Sequence, residues 1–105
     1  MDLEDMGKRI RMKRISRSMS QEELAEKTNL SVPYIGMLER GERKPSIDSF
    51  VLITDVLNAT ADELLCGNLK KGYLVRLAKY EEKLAKLSPE DAKRFYRVVD
   101  ALLGI

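Results

Sequence analysis

Residues 20–41, SQEELAEKTNLSVPYIGMLERG, read as two short helices joined by a tight turn. Ser20 is an N-cap whose capping box closes with Glu23, and Leu24 and Ala25 open a buried face. The helix expected over 21–27 then breaks at Leu30. Ser31 restarts the chain as a second N-cap, and Pro33 fits a first turn in which its missing N–H costs nothing. Ile35 and Leu38 recur at helical spacing until Gly41, so a second helix is expected over 32–40.

The rest of the chain is also helical by pattern, and it carries almost no strand signal. A first helix over 3–17 turns Met6, Ile10 and Arg14 inward and loosens at 16–18. After the loop 41–45, Ser46 caps a fourth helix with Ile47, Phe50, Ile53 and Leu57 on one stripe. Asn58 stands where glycine often ends a helix. Thr60 with Glu63 makes another capping box, and Leu64 and Leu65 close a short fifth helix before Gly67.

These words occur in the order and spacing of a known family: GKRIR at 7–11, SQEELAEK at 20–27, ERG at 39–41, PS at 45–46 and ADELL at 61–65. Over residues 6 to 66 the chain resembles the lambda-repressor-like helix-turn-helix regulators, also called the Cro/C1 or XRE type. The resemblance implies an all-α fold with a five-helix DNA-binding domain over 1–67; beyond it, the residue pattern itself adds a C-terminal helical hairpin over 68–105. It also implies that the helix over 32–40 reads the major groove of double-stranded DNA while the helix over 21–27 lies across the backbone.

Site residues follow from that layout. Ser20 and Gln21 at a helix N-terminus, Gly36, and Arg40, Arg43 and Lys44 beyond the recognition helix are expected at phosphates. Ser31, Val32, Pro33, Tyr34 and Met37 are expected at base edges. Val32, Pro33 and Met37 cannot donate a hydrogen bond, so any reading by them goes through thymine methyl groups. Arg14 and Glu39 match family positions that form a structural ion pair. Gly36 in mid-helix costs about 1 kcal/mol relative to alanine, which a close approach to the DNA backbone would explain.

Charge is uneven along the chain. Residues 1–67 hold ten Lys/Arg against twelve Asp/Glu, and residues 68–105 hold nine against five. Within the acidic half, Lys8, Arg9, Arg11, Lys13, Arg14 and Arg17 form a run free of acid. That run is either a local attraction for phosphate or a solvated helix face.

Past Gly67, Tyr73, Leu77, Tyr80, Leu84 and Leu87 alternate at four- and three-residue steps as a short heptad seam. Ser88 and Pro89 restart a helix in which Ala92, Phe95, Tyr96, Val99, Leu102 and Leu103 form one apolar stripe. The resulting hairpin either enlarges the core of a monomer or makes a homodimer, with Tyr73, Leu77, Tyr80, Leu84, Leu87, Phe95, Val99 and Leu102 at the interface.

Composition excludes several function classes. No apolar run reaches about eighteen residues and no secretory leader is visible, so the expected location is cytoplasmic, with no membrane partner. The chain has one cysteine, Cys66, and no histidine. Neither a zinc constellation, a disulfide framework nor the commonest general base is therefore expected, and neither is any metal or cofactor. The chain reads as a non-enzymatic DNA-binding regulator, most simply a repressor that acts as a homodimer. The alternative is an antitoxin-like or antirepressor-bound module that uses the same fold to hold a regulatory protein.

Overall fold

The computed structural model describes all 105 residues, Met1–Ile105, as seven α-helices and one 3-10 turn, without strands. They are α1 (Leu3–Ser16), α2 (Gln21–Thr28), α3 (Val32–Glu39), α4 (Ile47–Leu57), α5 (Ala61–Leu65), the 3-10 turn Cys66–Asn68, α6 (Gly72–Ala85) and α7 (Pro89–Leu103). Local chemistry sets most of these boundaries. The side chains of Asp2, Ser20, Ser31, Ser46, Thr60 and Ser88 each accept a hydrogen bond from a backbone N–H in the first turn that follows. At Ser20 and Thr60 the cap's own N–H donates in return to the Glu23 or Glu63 carboxylate, which completes a capping box. Asn29 and Asn58 end α2 and α4 in the left-handed region, at φ 58° and 49°, where asparagine is the tolerated substitute for glycine.

Two compact units divide the chain, Met1–Val75 and Arg76–Ile105. In the first, α1 to α5 enclose one core in which Met6, Ile10, Leu24, Ile35, Leu38, Ile53, Leu57 and Leu64 are almost wholly buried. A Cβ on Gly7 would collide with the backbone carbonyls of Leu38 and Glu39, so only glycine lets α1 lie this close to the end of α3. That contact fixes how far α3 stands out from the core. The unit runs past Gly67, where a boundary was expected, because the chain folds back on itself there. The Cys66 thiol donates to the carbonyl of Gly72 at 3.0 Å, and both residues are buried.

Two expectations are corrected in packing. Ile47, read as part of the buried stripe of the fourth helix, is 83% exposed. It occupies the first turn of α4, which projects beyond the core, and it rims a shallow apolar groove of about 160 Å³ with Met1, Pro45, Phe50 and Leu65.

The second concerns the apolar faces of the C-terminal hairpin, which one copy leaves largely open: α6 and α7 are joined by residues 86–88, and α7 buries no residue. Leu84, Phe95 and Val99 are half-buried, while Tyr73, Leu77, Tyr80, Leu87 and Leu102 remain exposed. Tyr73 belongs to the first unit, not the second. Periodicity shows that an apolar face exists, whereas the closing of two such faces depends on tertiary geometry.

Candidate nucleic-acid interface

Between α2 and α3 the turn needs only residues 29–31. Its short length follows from Asn29 in the left-handed region and Ser31 as the next cap, whose Oγ accepts from the Tyr34 N–H at 3.2 Å. α3 is therefore held from its inner side, by Ile35, Leu38 and Glu39, all buried, while Gly36 is covered by the Arg40 side chain. Ser31, Pro33 and Arg40 are exposed, and Met37 is half-buried between them in sequence. Val32 faces solvent less than its expected reading role requires. It is half-buried and packs against the core, because it lies one turn before Ile35 on the inner stripe.

Tyr34 is tied down at both ends of its side chain. Its hydroxyl accepts a hydrogen bond from the Ser46 N–H at 3.4 Å, and the Arg43 guanidinium sits 5.5 Å from the ring centroid. A cation over an aromatic face is attracted by the ring quadrupole, so Tyr34 also positions Arg43. Lys44 is exposed on the same loop but lines the apolar groove beside Pro45 and Ile47.

Arg14 and Glu39 hold the centre of this surface from beneath. Arg14 Nε and Nη2 donate to the two oxygens of Glu39 at 2.7 and 2.9 Å, and Arg14 Nη1 donates to the Met19 carbonyl at 2.8 Å. The pair is nearly dry, with side chains 10% and 2% exposed. The hydrogen bond to Glu39 raises the Arg14 pKa beyond its ordinary value, against the opposing effect of burial, so the charge is permanent. Gln21 extends the network, its Nε2 donating to Glu39 Oε1 at 3.2 Å. Ser20 Oγ is engaged as the cap of α2, accepting from the Glu23 N–H at 3.0 Å.

The basic run of α1 divides by role. Arg9 pairs with Asp5 at 2.8 Å, Lys13 with Glu63 at 2.8 Å, and Arg14 with Glu39. Arg17 donates to the carbonyls of Leu57 and Asn58, at 2.8 and 3.1 Å, at the C-terminal end of α4. Four of the six are thus spent inside the fold. Lys8 and Arg11 are exposed and make no ion pair, and together with Glu4, Gln21, Glu39 and Arg40 they line an open cleft of about 430 Å³. The sequence pattern does not single out either from the run. Lys8, Arg11 and Arg14 share one three-residue spacing along α1, so spacing alone does not separate the two free cations from the paired Arg14.

Arg40 bends toward its own loop. It forms a two-bond contact with Glu42, at 2.9 and 3.2 Å, which holds the Glu42 carboxyl below its ordinary pKa. Both side chains are more than half exposed, so solvent screens the pair and Arg40 can exchange partners. Gly36 lies under the same arginine, and a Cβ there would come within 2.9 Å of Arg40 Nη1. No group of three or more His, Cys, Asp or Glu side chains is placed to hold a metal ion, and no helix is long and apolar enough to cross a membrane.

The sequence pattern of the family described as helix-turn-helix matches residues 10–64, from the middle of α1 to α5. The chain belongs to the helix-turn-helix family of Cro/C1 type. YazB of Bacillus subtilis (strain 168), named an uncharacterized HTH-type transcriptional regulator, is 42% identical over 64 residues, which are 61% of this chain and 93% of its own length. Among solved structures, the restriction-modification controller protein C.AhdI from Aeromonas hydrophila superposes with a TM-score of 0.58 at 35% identity, covering 60% of this chain and 96% of its own. C.Esp1396I, solved bound to a 25 base pair operator site, superposes with a TM-score of 0.57 at 32% identity, covering 70% of this chain and 96% of its own. The helix-turn-helix match ends at Leu64, so α6 and α7 lie outside it.

Proposed function

We propose that this chain is a sequence-specific transcriptional regulator that binds double-stranded DNA as a homodimer on a two-fold operator, most simply as a repressor. The observation that carries this reading is the juxtaposition on one unit of an outward-facing α3 and a cleft that gathers Lys8, Arg11, Gln21 and Arg40. Unpaired cations beside a helix-turn-helix suit phosphates on either side of a groove that α3 enters. The likeness to an operator-bound relative supports the same reading.

In this reading Ser20, Gln21, Gly36, Arg40, Arg43 and Lys44 meet the DNA backbone, joined by Lys8 and Arg11. Gln21 and Arg40 do so by giving up their bonds to Glu39 and Glu42. Base edges meet Ser31, Pro33, Tyr34 and Met37, with Val32 contributing from the edge of the helix. Pro33 and Met37 offer only apolar contact, which suits thymine methyl groups. The protein performs no chemistry, and it works in the cytoplasm, where the DNA is.

Footprinting on DNA upstream of its own gene tests this. The expected result is a protected site with two-fold symmetry, bound more tightly than random duplex and progressively released by salt. Equal affinity for the upstream region and for random duplex would refute sequence-specific regulation.

A further inference from the structure

The second unit, Arg76–Ile105, carries more apolar surface than a single copy hides. Eight of its large apolar side chains are between 37% and 86% exposed, among them Tyr96 at 64% and Leu102 at 80%. An aromatic side chain presents roughly 150–250 Å² when fully open and an aliphatic one somewhat less, so these eight expose on the order of 800 Å². Patches on monomers rarely exceed about 600 Å², and one side of a standard interface covers about 800 Å². The surface is therefore the size of one half of a stable contact.

The pattern on α7 says what kind of contact. Ala92, Phe95, Val99 and Leu102 repeat at three- and four-residue steps as a seam, and Tyr96, Val98 and Leu103 widen it on both flanks. A two-stranded coil keeps charged residues on those flanks. Apolar flanks instead require neighbours on both sides, as a helix has in a four-helix bundle. One copy of the unit supplies two helices, and two copies supply four. Charge permits the pairing, because Glu90, Asp91 and Asp100 balance Lys93, Arg94 and Arg97 on α7, and the whole unit, with seven Lys/Arg against five Asp/Glu, carries only a small positive excess.

We infer that the apolar stripe of α7, with the seam of α6 beside it, is the docking surface for the same unit of a second copy. The two together form a four-helix bundle that makes the chain a homodimer. This deepens the reading of the protein as a two-fold DNA binder and rests on it for its purpose, but the pairing itself is measured without DNA, so the two can fail separately.

Sedimentation equilibrium of the intact chain at tens of micromolar, with no DNA present, should give twice 12.0 kDa. Leu102→Asp should raise the dissociation constant by at least roughly a hundredfold, since a carboxylate cannot be buried unpaired in an apolar seam. Because Leu102 is 80% exposed in one copy, that variant keeps its helical circular dichroism. Tyr96→Lys is the second variant and should behave alike, whereas Arg97→Ala on the outer face should leave the mass unchanged. An intact chain at 12.0 kDa would overturn the inference and leave the stripe to a different occupant, such as another protein. A dimer that survives both Leu102→Asp and Tyr96→Lys would overturn it too, by placing the interface elsewhere. Failure of the DNA reading would appear instead as an intact dimer that protects no site.

Discussion

Replacing Glu39 by alanine should destabilise the first unit more than any loss of a surface charge. The carboxylate is 2% exposed and holds Arg14 through two hydrogen bonds, at 2.7 and 2.9 Å, so its removal leaves a guanidinium that is itself only 10% exposed. Breaking a buried pair from one side costs about 3–5 kcal/mol. Arg14 keeps its bond to the Met19 carbonyl, which places the cost near the lower end, at about 3 kcal/mol. For a unit of this size each kcal/mol moves the midpoint by roughly 4–8 °C, so thermal unfolding followed by circular dichroism should show a fall of at least about 12 °C. Arg14→Met combined with Glu39→Leu removes both charges and should recover most of that loss, because a dry pair replaced by apolar side chains is close to neutral. A fall of less than about 4 °C for Glu39→Ala, or a double variant no better than the single one, would refute the view that desolvation governs this pair.

Three further outcomes are expected. Lys8→Ala and Arg11→Ala should each lower the slope of log affinity against log salt by about 0.9 for each phosphate left without its cation, while Arg9→Ala, whose charge is already matched by Asp5, should leave the slope alone; equal slopes for all three variants in DNA titrations would contradict the division of the α1 run. Gly36→Ala should raise stability by up to about 1 kcal/mol in chemical denaturation, since only the flexible end of Arg40 has to move, yet weaken DNA binding. Unchanged binding by that variant would show that DNA does not approach α3 closely there. Replacing thymine by uracil at the steps facing Pro33 and Met37 should cost on the order of 1 kcal/mol, the value of one buried methyl group, and a series of single replacements that all leave affinity unchanged would rule out apolar reading.

What could be read from sequence was local. Caps at Ser20, Ser31, Ser46, Thr60 and Ser88 are decided within four residues, and each stands where its pattern places it. The core stripe of Met6, Ile10, Ile35, Leu38, Ile53 and Leu57 follows from helical period alone. The basic run was different. Whether Lys13 or Lys8 is free depends on Glu63, which lies 50 residues from Lys13, and on carbonyls at the end of α4 that occupy Arg17. Position along a chain carries no record of such partners. Val32 and Ile47 mark the same limit, since both are apolar at a helix start, yet Val32 is turned toward the core and Ile47 is left outside it. The seams of α6 and α7 were legible as seams, but periodicity does not name the surface that covers them.

Selection of duplexes by the intact protein from a random pool tests sequence-specific recognition most directly, because it assumes no operator. The expected result is enrichment of one two-fold sequence whose half-sites are centred about one helical turn apart, roughly 34 Å, with thymines at the steps that α3 faces. A pool that stays random after repeated rounds, while the protein remains folded and bound to DNA, would contradict it.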